Sequence, residues 1–271
     1  MTRFAPSLAL LASLATAACS SPARNDPPLE LFEWERGIGL RARGETPMPM
    51  YLWFYEWNLF GAFEPGELSS GSFAFERSVA PDARSARIVG PGIALDLKVE
   101  SDGVALELEV ENRTERDWPA TAAIIACFNP GPKETRTFEM GHHLKTYMLG
   151  AAGLERVADR DMHFNARLRG ELERLAPDLR FAFSERWATS ARDSHAGLLL
   201  RESLSGGWTC GVAWSEWLGL QAHNPWLCMH AATRVGPLAR GARTTVRGKL
   251  YLFPGDRQEG LRRFEREFAA R

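Results

Sequence analysis

The sequence predicts an all-β fold, an antiparallel β-sandwich with a short C-terminal helix. Three observations carry this. Ile93 to Val99 and Val104 to Val110 each alternate apolar with polar or small residues, and Glu100-Ser101-Asp102-Gly103 between them is a turn. Further apolar runs of strand length recur down the chain, separated by Gly, Pro, Asn and Asp. The persuasive helical pattern is Asp256 to Phe268, with Asp256 as N-cap and Leu261, Phe264 and Phe268 on one face. Many strands, regular turns and one terminal helix make a sandwich.

Residues 1–18 read as an export signal: Arg3 supplies the positive start, and Phe4 to Ala18 form a short, Ala-rich apolar run. Cys19-Ser20-Ser21 follows small residues and resembles the site at which lipoprotein precursors are cut before a cysteine that then carries the lipid. Cys19 is therefore the expected lipid anchor. Thr16 departs from that pattern, which usually has an aliphatic residue there, and Thr16-Ala17-Ala18 also suits ordinary signal peptidase. The chain is expected to be an exported bacterial protein, periplasmic or at the cell surface, held to the membrane through Cys19. Residues 19–30, rich in Ser, Pro and charge, read as a flexible tether. Residues 31–271 read as a single sandwich domain.

Within that domain the expected strands follow in order. Met50 to Tyr55 is an aromatic run, Gly71 to Arg77 alternates, and the hairpin above comes next. Thr121 to Phe128 is nearly continuously apolar, as a strand covered on both faces would be. Leu179 to Phe183, Ala196 to Arg201, Trp208 to Trp214, Cys228 to Val235 and Thr244 to Phe253 complete the set. Asn165 to Leu175 has helix-forming composition, interrupted by Gly170.

Bulk properties bound the function. Hydrophobic content of 45% and charged content of 25% are those of a globular protein with a sizeable core. The net charge of −1 offers no basic excess for phosphate backbones, so no nucleic-acid partner is expected. With Cys19 modified or removed, Cys127, Cys210 and Cys228 remain, an odd number that cannot all pair within the chain. Each sits in an apolar run, so the readings are three buried thiols, or one bridge plus one thiol. No C-x-x-C, Gly-rich phosphate loop or G-x-S-x-G elbow occurs.

Leu95 to Pro119 reads as strand, turn, a strand ending in Val110-Glu111-Asn112-Arg113-Thr114, then a charged turn into Trp118-Pro119. Near the end, Val235-Gly236-Pro237-Leu238-Ala239-Arg240-Gly241 precedes the long strand Thr244 to Phe253. This combination resembles the galactose mutarotase-like supersandwich of aldose epimerases and polysaccharide-active enzymes. The resemblance implies a supersandwich fold and a carbohydrate ligand. It also implies chemistry in which a carboxylate takes a sugar hydroxyl proton while a histidine protonates the ring oxygen.

Candidate site residues fall in four clusters. Gln221 to His230 combines His223, Asn224, Trp226 and His230 around an Asn-Pro turn; stacking indoles with amides and imidazoles is what sugar recognition needs. Glu139 to Tyr147 carries His142 beside His143, after Gly141. The run Trp53 to Phe60 places Trp53 and Trp57 on one strand face and sets Glu56 among large aromatics, which can raise a carboxyl pKa. Trp214-Ser215-Glu216-Trp217 repeats the carboxylate between tryptophans, so Glu56 and Glu216 are a candidate acid/base pair. The expected catalytic residues are Glu56, Glu216, His142, His223 and His230. Trp226, Asn224, Trp53 and Trp217 are the expected substrate contacts. Metal ligation by the same histidines would need residues from distant strands, so no metal and no cofactor is assigned. The reading is an exported protein that binds, and in the fuller version processes, a sugar or polysaccharide in an aromatic and histidine-lined cleft. The alternative is a non-catalytic structural or protein-interaction ectodomain.

Overall fold

A computed structural model describes residues 28–34, 37–44, 50–53, 59–60, 75–130, 143–157, 161–174, 188–222 and 228–269. Two sheets dominate. The first runs in the order β1 (Leu29–Trp34), β2 (Gly37–Ala42), β3 (Met50–Trp53), β9 (Ala123–Pro130), β17 (Met229–Arg234), β16 (Trp217–Gln221), β12 (Asp161–Asn165) and β13 (Ala188–Ser194), with β4 (Leu59–Phe60) beside β9. The second runs β11 (Gly153–Arg156), β10 (Thr146–Gly150), β14 (Gly197–Glu202), β15 (Trp208–Trp214), β18 (Arg243–Pro254), β8 (Val104–Glu111), β7 (Ile93–Val99), β6 (Ser85–Gly90) and β5 (Glu76–Val79). Among the described strands only β12 and β13 pair in parallel. The protein is an all-β sandwich.

Alternation explains the second sheet. On β7 and β8 every other residue is buried, and Val99 pairs with Val104 across the turn the sequence marks. Leu95, Leu97, Leu106, Leu108 and Val110 face the first sheet and join the main core with Leu40, Ile124, Phe128, Met229 and Ala231. Strand β9 is buried along its whole length because it is central to the first sheet and covered on both faces. Its even-numbered residues Ile124, Ala126 and Phe128 enter the main core, whereas Ala123 and Ile125 join a separate cluster on the outer face with Phe164, Leu172, Leu218 and Ala232.

The helical segments are short. Asn165 caps a 3-10 turn (Ala166–Leu168), accepting from the Arg167 amide, and this leads into α1 (Arg169–Arg174). Helix α2 (Arg257–Phe264) is capped by Asp256, whose Oδ1 accepts from Glu259 N at 3.0 Å, and it packs on the outer face of the second sheet against Leu200, Tyr251 and Phe253. Part of the expected strand Gly71 to Arg77 and all of Leu179 to Phe183 lie outside the described residues. Strand β1 begins at Leu29, within the stretch read as tether.

The two segments that carry the family resemblance meet in space. Asn112 Nδ2 donates to the carbonyls of Arg116 at 2.8 Å and Leu238 at 2.9 Å, and its Oδ1 accepts from Thr114 N and Oγ1. Trp118 and Leu238 exchange backbone bonds, and Trp118 Nε1 donates to Thr114 Oγ1 at 3.0 Å. The Asn-x-Thr sequence is therefore a latch between the β8 exit and the approach to β18, so its chemistry is structural.

Candidate functional site

The outer face of the first sheet is where chemistry collects. Residues directly opposite each other in an antiparallel pair share a face. Cys127 on β9 stands opposite His230 on β17, and His230 opposite Gln221 on β16. Two residues along, Asn129 stands opposite Tyr51 on β3. Alternation puts Cys127 and Asn129 on the Ile125 side of β9, away from the main core.

The polar contacts are specific. His230 Nδ1 lies 3.0 Å from Gln221 Oε1, a contact that orients the imidazole ring. The sulfurs of Cys127 and Cys228 lie 3.1 Å apart, and Asn129 Nδ2 lies 3.5 Å from Cys228 Sγ. All five groups are buried, with His230 the most exposed at 4%. Aromatic rings border this patch. Trp34 packs on Tyr51 with centroids 4.3 Å apart, and Phe32 meets Tyr51 edge-on at 6.0 Å. Phe32 and Trp34 are half-buried. Gly39 permits the arrangement, because a Cβ there would come within 2.2 Å of the Phe32 ring.

Behind this sheet a buried cation completes the surroundings. Arg201 on β14 donates from Nε to Thr146 Oγ1 at 2.7 Å and from Nη2 to the Ala222 carbonyl at 3.3 Å. Burial pulls its pKa down to about 10, against the opposing influence of Cys210 and Cys228. Cys210, its cross-strand neighbour, is pushed up to about 12 by burial and is a protonated thiol at neutral pH. No disulfide joins Cys127, Cys210 and Cys228, and all three are buried.

The residues singled out from the sequence have different placements. His230 is in the patch. Glu216, in the turn before β16, is exposed and pairs with Arg234 Nη2 at 2.7 Å. Arg234 is four residues along β17 from His230, about 13 Å at strand rise, so Glu216 and His230 are not brought together. Trp217 on β16 is buried at 6%, with Arg167 5.7 Å over its ring. The backbone of Trp53 pairs with Cys127 on β3. Glu56, His142, His223, Asn224 and Trp226 lie outside the described residues. Cys127, Cys228, Asn129 and Gln221 were not singled out as site residues. The signal for them was available in part: Cys228 and His230 are two apart in the expected strand Cys228 to Val235, whose alternation sets them on one face. What the sequence lacks is the register that sets Cys127 across from His230.

An open groove of about 850 Å³ lies elsewhere, on the second sheet along β5, β6 and β7. Arg84, Arg87, Asp96 and Lys98 line it, without a histidine or an aromatic ring. Its charges suit solvent, and it is separate from the His230 patch.

No family model and no curated protein matches the chain. Solved structures do. A galactose mutarotase-like protein from Lactobacillus casei ATCC 334 matches with a TM-score of 0.42 and 11% identity, over 83% of this chain and 99% of that one. A candidate aldose 1-epimerase from Escherichia coli K12 matches with a TM-score of 0.36 and 9% identity, over 86% and 82% of the two chains. Both matches have TM-scores under 0.5 and sequence identities of 11% or less.

Proposed function

We propose that this protein binds a carbohydrate on the outer face of its first sheet, outside the cytoplasm. One observation carries the reading. Phe32, Trp34 and Tyr51 form an aromatic border beside the amides of Asn129 and Gln221 and the imidazole of His230. Flat apolar rings next to planar hydrogen-bonding groups suit the two faces of a sugar, its C–H groups and its hydroxyls. Trp226, Asn224, Trp53 and Trp217 are the further proposed contacts. In the processing version Glu56, His142, His223 and His230 supply the proton transfers, and Glu216, paired with Arg234 away from His230, takes no part with them. Export and lipid attachment at Cys19 complete the proposal.

The test is calorimetry and glycan-array binding of the protein against mono- and oligosaccharides. Binding that Trp34→Ala weakens about tenfold or more, with the fold intact by circular dichroism, supports the reading. Absence of binding across the array overturns it. Mass spectrometry of the membrane fraction decides the anchor: a diacylglyceryl group on Cys19 is expected, and an unmodified chain beginning after Ala18 would reject it.

The second reading is a non-catalytic interaction or structural module, and burial favours it. Asn129, Gln221 and His230 are 1%, 2% and 4% exposed, which is how polar groups stand when they pair within a core. On that reading Gln221→Leu costs stability and changes no ligand binding.

A further inference from the structure

We infer that Cys127, Cys228 and His230 form a binding site for a thiophilic d10 cation, Zn(II) or Cu(I). The two sulfurs and a ring nitrogen of His230 all lie within 4.8 Å of one another, and all three residues are buried. Among the described residues no other grouping of three or more His, Cys, Asp or Glu side chains has this closeness.

The geometry is close to what such a cation takes. With metal–sulfur bonds of about 2.3 Å and tetrahedral angles, two thiolates stand about 3.8 Å apart. The observed 3.1 Å separation needs less than an ångström of opening, within the reach of small side-chain rotations. Two of the donors' neighbours are arranged as supports. Gln221 Oε1 lies 3.0 Å from Nδ1 of His230 and holds the ring plane; in the tautomer in which Nδ1 donates, Nε2 is the nitrogen that can ligate. Asn129 Nδ2 points at Cys228 Sγ, where an N–H donor stabilises a thiolate. Cys127 sits on β9 and His230 opposite it on β17, whose long pairing fixes their spacing, and Cys228 directly precedes β17.

The donor set also selects the cation. Two thiolates and an imidazole exclude the hard cations Mg(II) and Ca(II), which take oxygen, and favour Zn(II) and Cu(I). On binding, the two thiols release their protons to solvent. Zn(II) with two thiolates is then neutral, which a buried site tolerates. Zn(II) would add a fourth ligand from outside the trio, whereas Cu(I) is satisfied by three. The site shares His230 with the proposed carbohydrate surface, yet rests on the three donors alone. The experiment reads metal without any sugar present, so either proposal can fail while the other stands.

The full chain, reduced and stripped by chelator, is titrated with Zn(II) against a chromophoric chelator. A parallel anaerobic titration uses Cu(I) against bicinchoninate. X-ray absorption on the loaded protein then reports the ligands. Expected is one equivalent per chain, with two sulfurs and one nitrogen around whichever cation binds more tightly. Gln221→Leu keeps the stoichiometry and weakens binding about ten- to hundredfold, as loss of an orienting partner does. Cys210→Ser leaves binding unchanged. Because Cys127→Ser or Cys228→Ser could fail to fold, the absorption spectrum of the unsubstituted protein is decisive by itself. Failure to bind either cation, or a shell without sulfur, overturns the inference. So does a Cys127–Cys228 disulfide that re-forms in preference to metal binding once reductant is removed.

Discussion

Cys127 on β9 and Cys228 just before β17, 101 residues apart in the chain, bring their sulfurs to 3.1 Å. The sequence leaves open three buried thiols or one bridge plus one thiol. Register, which no local pattern states, makes Cys127 and Cys228 neighbours and sets His230 directly across from Cys127. The consequences of such long-range pairings can be measured elsewhere in the molecule too.

The Asn112 latch is one. Its side chain is wholly buried and makes hydrogen bonds to Arg116, Leu238 and Thr114. Asn112→Ala removes one of two donors from each of the Arg116 and Leu238 carbonyls and takes the acceptor from the Thr114 N–H, and should cost about 1–3 kcal/mol in denaturant unfolding. Asn112→Asp keeps the shape but replaces the donor with a charge facing two carbonyls. It should be no more stable than the alanine variant.

A second prediction concerns Lys249, whose side chain is 2% exposed and whose Nζ meets Glu100, Asp102 at 2.8 Å and Glu267 at 3.6 Å. Burial alone would lower its pKa, but hydrogen bonds to Asp102 and Glu100 outweigh that and hold it above the ordinary 10.5. A raised folded pKa stabilises the fold below pH 10.5, and the contribution is lost as pH rises through the folded value. Asp102→Asn should cost about 1–2 kcal/mol at pH 8, discounted because the carboxylates are partly solvated. Its alkaline unfolding midpoint should move to lower pH. Lys249→Met, which leaves three carboxylates clustered without their cation, should cost at least as much as Asp102→Asn at pH 8.

The acid side is set at α2. Burial would raise the Glu259 pKa, yet hydrogen bonds from Arg263 and Arg262 outweigh it and hold the carboxyl below its ordinary 4.5. Its contribution is therefore present above pH 4.5 and lost as pH falls through the lower folded value. Glu259→Gln should be less stable than the parent by about 0.5–1 kcal/mol at pH 7. The two stability curves should converge as the solution is acidified past both pKa values. Arg263 also lies 4.0 Å over the Phe253 ring, so Arg263→Ala should loosen helix docking at either pH, read by protease nicking after Pro254.

Gly39 and Phe32 test the aromatic border. A methyl at Gly39 would meet three atoms of the Phe32 ring at 2.2–2.6 Å. Gly39→Ala should destabilise by about 1–3 kcal/mol, and adding Phe32→Ala should recover part of that loss. A double-mutant cycle with no coupling would mean the ring moves aside at little cost.

Much of the fold was legible. The β7–β8 hairpin, the two-sided burial of β9, the strands at Trp208–Trp214 and Arg243–Pro254 and the Asp256 cap all follow from local pattern, because alternation and capping are decided within a few residues. Strands such as β2 (GIGLRA) and β16 (WLGLQ) were not singled out, since glycines and burial on both faces erase their alternation. The candidate site was legible by residue type more than by position. His230 and Gln221 lie in the segment with the densest chemistry, but the indole of Trp217 is buried beside Arg167, and Glu216 faces solvent with Arg234.

The sequence by itself determined the alternating and continuously apolar strands, the sandwich class and the identity of the polar residues placed inside apolar strands. Tertiary structure alone decided which of those polar residues meet. Hydrophobic periodicity says which face of a strand turns inward, a property of each segment separately. The partner across a sheet depends on strand order and register, which are set by packing two nine-stranded sheets against each other. Hence Asn112 could be read as a motif before Leu238 was known to be its acceptor, and Cys127 as core before His230 stood opposite.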